Sequence, residues 1–298
     1  MKHLLKLEGM PSAAMEEILA SAEIIKAKRG GGEAKPLDGQ TWAMIFTKSS
    51  TRTRVSFEVG IRELGGSVMF LNANDMQLGR GEPIKDTARV LGRMVHGAVI
   101  RTFAQADVEE FAEYSGIPTI NALTDDEHPC QILTDIFTFQ ERRGPIRGKV
   151  VTYVGDGGCN VPVSWVHAAA ALDFELRIAA PAEFQPSAET LAKAGGNISC
   201  TEDIRAAVKG ADMVYTDVWV SMGMEAEAEE RLAKLAGYQI NGGLMCLAKP
   251  DALVMHCLPA YRGKEIDAET FEAHADTIFT QAENRLHTQK AILAWLAG

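Results

Sequence analysis

The sequence predicts an α/β protein of two doubly wound parallel-sheet domains arranged around a central cleft. Three observations predict it. Short apolar runs alternate with amphipathic stretches, the pattern of strand–helix units in a parallel sheet. The series is broken once, at Arg142-Arg143-Gly144-Pro145-Ile146-Arg147-Gly148, and then resumes. At 298 residues the chain exceeds most single cores, so two domains are the natural division.

The elements follow in order. Pro11-Ser12 opens a helix over 11–28, which Gly30-Gly31-Gly32 ends. The run Thr-Trp-Ala-Met-Ile-Phe at Thr41–Phe46 reads as a buried strand. From Arg52 onward Val55 pairs with Val59, and Phe57 with Ile61 and Leu64, at the spacing of an amphipathic helix. Strands are expected over 67–71 and 98–101, with a helix over 84–95 between them. A strand over 118–122 and a helix over 132–141 complete the first series. The second begins with a strand over 149–154 and a helix over 161–172. Further strands are expected at 175–179, 213–216, 253–255 and 277–280, with a closing helix over 282–296.

The opening motif, Phe46-Thr47-Lys48-Ser49-Ser50-Thr51-Arg52-Thr53-Arg54, falls where a strand gives way to a helix. Free N–H groups and the positive end of the macrodipole favour an anion there. Hydroxyls together with Arg52 and Arg54 suit a phosphate-like dianion, which guanidinium binds in bidentate fashion. A capped helix with solvated arginines is the plainer alternative, but capping needs one hydroxyl only.

Net charge is −10, with a pI near 5.3, which argues against nucleic acid or an anionic membrane as partner. It also makes a local cationic cluster more telling. Cys130, Cys159, Cys200, Cys246 and Cys257 stand singly, without a C-x-x-C pair, which suits reduced thiols in a cytoplasmic protein. Neither a signal peptide nor an apolar run of transmembrane length is found.

Each remaining polar cluster falls where a strand should end, which is where ligands bind in open α/β sheets. Arg101 ends one strand. His128-Pro129-Cys130-Gln131 opens the next helix, and its His and Gln suit a carbonyl oxygen. Gly155-Asp156-Gly157-Gly158-Cys159-Asn160 invites a dinucleotide reading, but Asn160 stands where G-x-G-x-x-G needs its last glycine. Asn160 is better read as a polar ligand or a plain N-cap. Asp217-Val218-Trp219-Val220-Ser221-Met222-Gly223 offers an acid for an ammonium group and a turn for a closing loop. In His256-Cys257-Leu258-Pro259, neighbouring side chains of an extended segment point apart, so His256 is badly placed to activate Cys257 as a nucleophile. Arg285, in Gln281-Ala282-Glu283-Asn284-Arg285, adds a further positive charge.

Taken together, these segments resemble the ornithine carbamoyltransferases within the aspartate/ornithine carbamoyltransferase family. The resemblance runs nearly end to end and rests on Ser50 to Arg54, His128 to Gln131, Asp217 to Gly223, His256 to Pro259 and Gln281 to Arg285. It implies transfer of a carbamoyl group from carbamoyl phosphate to ornithine, giving citrulline and phosphate, in arginine metabolism. It implies a carbamoyl-phosphate-binding domain over 1–143 and an ornithine-binding domain over 144–298, with the last helix (about 282–298) returning to the first domain. Ser50, Thr51, Arg52 and Thr53 match positions that hold the phosphate. Arg101, His128 and Gln131 match positions on its phosphate and carbonyl oxygens. Cys257, Leu258 and Arg285 match positions near the reacting carbamoyl group, and Asn160, Asp217, Ser221 and Met222 match positions that hold the amino-acid end of ornithine. Gln77, in the segment 76–82, matches a contact made across subunits in a trimer or an assembly of trimers. No metal or organic cofactor is implied.

Two positions depart from the family pattern. Cys159 replaces the first of two adjacent asparagines, and Val163 stands where a polar residue is common. They leave open an acylated ornithine or another amine as acceptor. A dinucleotide-dependent oxidoreductase and a non-catalytic binding protein are the rival classes.

Overall fold

The computed structural model of the protein describes residues 1–32, 34–72, 81–221 and 223–298. Met1–Phe137 and Asn284–Gly298 form one compact unit, and Thr138–Glu283 form a second.

The first unit contains α1 (Ser12–Ala27), β1 (Thr41–Phe46), α2 (Thr51–Glu63), β2 (Ser67–Asn72), α3 (Ile84–Leu91), β3 (Gly97–Arg101), α4 (Gln105–Ser115), β4 (Thr119–Leu123) and most of α5 (Pro129–Arg143). Its sheet is parallel throughout, in the order β2-β1-β3-β4. The chain steps from β1 outward to β2, then crosses to β3 on the other side. The order therefore reverses between β1 and β3, where loops leaving the strand ends diverge and open a crevice. Phe46 lies beside Arg101 in the register. Thr47 N–H and Oγ1–H both donate to the Arg101 carbonyl, at 2.9 and 3.2 Å. The polar segment after β1 and the arginine ending β3 are thus fixed side by side.

Apolar side chains of β1 and β3 pack on α4 through Ile45, Ile100, Val108 and Phe111. Gly97 is required at its position, because a Cβ there would lie 2.6 Å from the Trp42 ring. On α2 the buried stripe is Phe57, Ile61 and Leu64, whereas Val55, expected to be apolar and inward, is 55% exposed. The inward face is completed instead by Thr53, Ser56 and Gly60. Gly60 admits the closing helix, with Lys290 Cγ 3.1 Å from where a Cβ would sit.

The second unit contains β5 (Val150–Val154), α6 (Asn160–Leu172), β6 (Glu175–Ala179), α7 (Ala188–Ala194), β7 (Ile198–Thr201), α8 (Ile204–Val208), β8 (Met213–Thr216), α9 (Ala228–Leu235), α10 (Gly242–Met245), β9 (Leu253–His256) and α11 (Ala268–Ala273). Helix α12 (Ala275–Ala297) begins here, and from Asn284 onward it belongs to the first unit. The parallel sheet has the order β7-β6-β5-β8-β9, so its reversal lies between β5 and β8.

The strand expected at 277–280 is the first part of α12. Thr-Ile-Phe-Thr is a short β-branched and aromatic run, which periodicity alone cannot assign. Burial recurs at Thr277 and Ile278, at Gln281 and again at Asn284 and Arg285, the period of a helix face, and from Asn284 to Leu293 the helix is buried all round. Helix α4, edge strand β7 and its flanking helices α7 and α8 have no counterpart in the sequence reading. Apart from the 11-residue α4 each is short, and β7 is half-exposed without a clean alternation.

Candidate active site

In the first unit the site is built on the N-terminus of α2. Ser50 has extended backbone and caps the helix, its Oγ accepting from Thr53 N–H at 3.3 Å. The other N–H groups of the first turn remain for a ligand. Of the cations in the opening motif, only Arg52 is uncommitted: its half-buried guanidinium pairs with no carboxylate among the described residues. Arg54 stacks over the Phe70 ring at 3.7 Å and pairs with Glu58. Lys48 is bonded to Asp125, with the Phe103 ring centroid 4.1 Å away. A pocket of about 390 Å³ lies against this loop, lined by residues 47–51, Arg54 and Phe70.

Three further polar groups converge from elsewhere in this unit. Arg101 is buried at the end of β3. Arg285, also buried, donates from Nη2 to Thr53 Oγ1 at 2.7 Å, which places α12 against the start of α2. His128 precedes α5 and is buried; burial first, then the charges of Arg285 and Arg101, holds its pKa well below 6.5. It is therefore neutral at pH 7 and can share one ring proton with a ligand. The loop carrying it is fixed by Glu127, whose carboxylate accepts from Leu7 and Glu8 N–H at 2.6 and 3.1 Å. Gln131, in the first turn of α5, donates from Nε2 to Asp135 at 2.8 Å. Cys130 beside it is a buried thiol pushed up to about 12, first by burial, and is inert at neutral pH.

The second unit carries a different chemistry. Asp217, after β8, is buried, and burial raises its pKa. Its Oδ1 accepts from Cys257 Sγ–H at 2.9 Å and from Val218 N–H at 2.7 Å. Leu258 N–H donates to His256 Nδ1 at 2.9 Å, so the ring proton must reside on Nε2, which faces Glu265 Oε1 at 3.2 Å. Leu258 itself has φ 60, in the left-handed region that leucine seldom adopts, and this bond to His256 helps to hold it. The donor atoms of Asp217, His256 and Cys257 lie within 4.8 Å of one another, a spacing that also suits a metal. Both nitrogens of His256 are already engaged, so ligation would break the bonds that shape this loop. The cluster is a hydrogen-bonded acid–thiol pair supported by a histidine.

Beside it, Asp156 bonds Gly158 N–H at 2.9 Å and pairs with buried Arg231. Arg231 Nε also donates to Trp219 O at 2.8 Å, which ties the loop after β5 to the loop after β8. Asn160 is the first residue of α6, and the N-cap position is Cys159. The Cys159 thiol does not cap; it donates to Asp156 O at 3.2 Å, and burial with Asp156 and Asp217 pushes its pKa well up. Val163 is half-buried, and the Ser221 carbonyl accepts from Met224 N–H at 3.0 Å.

Ser50, Thr51, Arg52, Thr53, Arg101, His128, Gln131 and Arg285 thus fall in the first unit, and Asn160, Asp217, Ser221, Cys257 and Leu258 in the second. Gln77 and Met222 lie outside the described residues. Sequence reasoning assigned no part to Glu127, Asp135, Arg231 or Glu265, all of which are buried charges. The available signal was spacing: Asp135 follows Gln131 by four positions, one helical turn.

Fold and site define an α/β protein with an anion cradle at one sheet reversal and an acid–thiol cluster at another. The model of the aspartate/ornithine carbamoyltransferase carbamoyl-P binding domain matches residues 2–141, and that of the Asp/Orn binding domain matches 147–296. Ornithine carbamoyltransferase of Akkermansia muciniphila is 54% identical over 100% of this chain and 98% of its own. That of Methylococcus capsulatus is 51% identical over 99% and 98%. Among solved structures, ornithine carbamoyltransferase from Pyrococcus furiosus superposes with a TM-score of 0.93 at 44% identity, covering 100% of this chain and 97% of the other. The anabolic enzyme from Campylobacter jejuni gives 0.94 at 43% identity, covering 99% of each chain. The chain belongs to the aspartate/ornithine carbamoyltransferase family.

Proposed function

We propose that the protein transfers the carbamoyl group of carbamoyl phosphate to the δ-amino group of L-ornithine, giving L-citrulline and phosphate. The observation that carries this reading is the convergence of Arg285 on Thr53, with His128 held neutral between Arg285 and Arg101, at a helix N-terminus. In an acidic chain, such a cluster has the charge and shape for a small acyl phosphate.

In this reading residues 1–143 bind carbamoyl phosphate. The N–H groups and hydroxyls of Ser50, Thr51 and Thr53, with Arg52 and Arg101, hold the phosphate. His128 and Arg285 polarise the carbonyl oxygen, and Gln131 takes up the carbamoyl NH2. Residues 144–298 (the last helix apart) bind ornithine: Asn160, Ser221 and Met222 hold its amino-acid end, while Asp217, expected at that end from the resemblance, is assigned here to the δ-amino group because its Oδ1 is bonded to Cys257. That group arrives as an ammonium and must lose a proton before it can attack. Asp217, whose buried carboxyl favours the protonated form, is the group to accept it, and Cys257 fixes its orientation. The neutral nitrogen attacks the carbonyl carbon to give a tetrahedral intermediate. Its C–O bond to phosphate then breaks as the carbonyl re-forms, and the departing phosphate takes the second proton from the attacking nitrogen. Positioning and charge stabilisation of the oxyanion supply the rate, without a covalent enzyme intermediate. The chemistry calls on no metal or organic cofactor.

We further infer a cytoplasmic, arginine-synthesising homotrimer in which Gln77 reaches a neighbouring subunit. The likeness to the anabolic Campylobacter jejuni structure supports the biosynthetic direction. No described helix is long and apolar enough to cross a membrane. Exposed Val55 and Met69, on α2 and the edge strand β2, suit a subunit contact.

Cys159 favours a second acceptor, since its thiol is turned to Asp156 O and offers no amide to a substrate carboxylate. Colorimetric citrulline and ureido-product formation with ornithine, acetylornithine, putrescine and aspartate tests both readings. Ornithine is expected to be the best acceptor. Preference for acetylornithine or putrescine supports the second reading, and turnover with none of the four overturns both.

A further inference from the structure

The proposed chemistry leaves buried Asp135 without a part. It lies one turn after Gln131 on α5, and its Oδ1 accepts from Gln131 Nε2 at 2.8 Å. A carboxylate oxygen cannot donate, so only the NH2 end of the amide can face it; the reverse orientation would set two oxygens against each other. The amide oxygen is thereby turned the other way. Gln131 Oε1 is buried and has no hydrogen-bond partner among the described residues. Gln131 sits in the first turn of α5, whose neighbours His128 and Cys130 both feel the charge of Arg285. Donors and cations thus dominate the cradle, and Gln131 Oε1 is a buried acceptor carried on the same helix turn.

We propose that Asp135 is a positioning residue that locks the Gln131 amide with its oxygen toward the ligand, so that the site selects an acyl phosphate bearing N–H on its acyl carbon over one bearing a methyl group. This rests on the carbamoyl-phosphate reading and says which part of the substrate is recognised, and by which device. Acetyl phosphate is the probe: it matches carbamoyl phosphate in charge and shape but presents CH3 in place of NH2. It would leave Gln131 Oε1 buried and unsatisfied.

The experiment measures the ratio of acetyl phosphate to carbamoyl phosphate dissociation constants, by equilibrium binding to the full chain and by competition in the citrulline assay. Asp135→Asn presents either an oxygen or an NH2 to Gln131, so the amide is free to turn over. The ratio is expected to fall by about tenfold, the scale of one hydrogen bond to a buried polar group. In a Gln131→Ala background the ratio is already low, and adding Asp135→Asn is expected to leave it unchanged. A purely structural Asp135 would weaken both ligands equally and add its effect in either background. An unaltered ratio in Asp135→Asn, or a further change on Gln131→Ala, overturns the proposal. If Asp135→Asn does not fold, Gln131→Glu replaces it. The new carboxyl faces Asp135, and the pair must share a proton with a raised apparent pKa. Carbamoyl phosphate binding by that variant is then expected to weaken as pH rises from about 6 to about 8, beyond any change in the wild type. A profile parallel to the wild type overturns the proposal. Wild-type protein that forms no ureido product would overturn the functional reading instead, which keeps the two failures apart.

Discussion

The two units use the same strand–helix repeat and the same sheet reversal to make opposite electrostatics. At the reversal between β1 and β3 the loops carry cations, and a histidine is kept neutral first by burial and then by the charges of Arg285 and Arg101. At the reversal between β5 and β8 they carry carboxyl and thiol groups, and Asp217 is pushed toward its protonated form because burial outweighs its donors. In the proposed reaction the first arrangement binds an anion before any chemistry starts, and the second takes a proton from an incoming amine. Fold topology fixes where a ligand sits, and the side chains at the strand ends decide its sign and its reaction.

The largest expected effect comes from breaking the cationic half. Arg52→Ala should lower kcat at least about a hundredfold, since one lost oxyanion-type donor costs ~3 kcal/mol and here a charge is lost as well. Citrulline formation at saturating carbamoyl phosphate measures it, and near-normal turnover would falsify the assignment of Arg52 to the phosphate.

The counterpart in the acidic half is Asp217→Asn. Loss of a positioned base is expected to cost about a hundredfold in kcat, with carbamoyl phosphate affinity unchanged. The same variant should melt at a higher temperature. A buried carboxyl with a raised folded pKa destabilises the native state once pH exceeds its unfolded value of 3.8, and an amide removes that penalty at neutral pH. A lower melting temperature would contradict burial as the dominant cause of the shift.

A subtler test separates the halves by pH. The folded pKa of His128 lies well below its unfolded 6.5, so below that value the unfolded chain binds the extra proton and native stability falls with falling pH. Urea midpoints at pH 7.5 and 5.5 are expected to converge in His128→Asn relative to the wild type. An equal pH dependence in both proteins would count against a neutral His128.

The smallest effect concerns thiols and a cap. In native protein at pH 8, exposed Cys246 should react first with a thiol reagent and Cys130 last, since Cys130 is buried and pushed up to about 12. Mass mapping of the adducts reads the order. Ser50→Ala should cost about 1 kcal/mol of stability through the lost cap, in addition to any effect on substrate.

The comparison also explains what was legible in the sequence. The Ser50–Arg54 run, Arg101 and the His128 segment could be placed because apolar strands of β-branched and aromatic residues end just before them. Arg285 carried a local reading as a further cation, but its bond to Thr53 joins positions 232 residues apart, which no spacing rule reveals. The strand expected at 277–280 failed because Thr-Ile-Phe-Thr satisfies strand composition while its burial period is helical. Lys48 and Arg54 looked like anion ligands by proximity, yet an aromatic ring and an acid engage each of them. Arg231 and Glu265 were illegible for a different reason. Charged residues in polar surroundings read as solvated, and only tertiary structure shows that they are buried and hold the loops after β8 and β9.

The most direct measurement is a crystal structure of the protein grown with carbamoyl phosphate. Phosphate oxygens are expected within hydrogen-bond distance of the Thr51–Thr53 backbone and of Arg52 and Arg101, with the carbamoyl NH2 on Gln131 Oε1. A ligand bound elsewhere, or one with Arg52 and Arg101 turned away from it, would contradict the account.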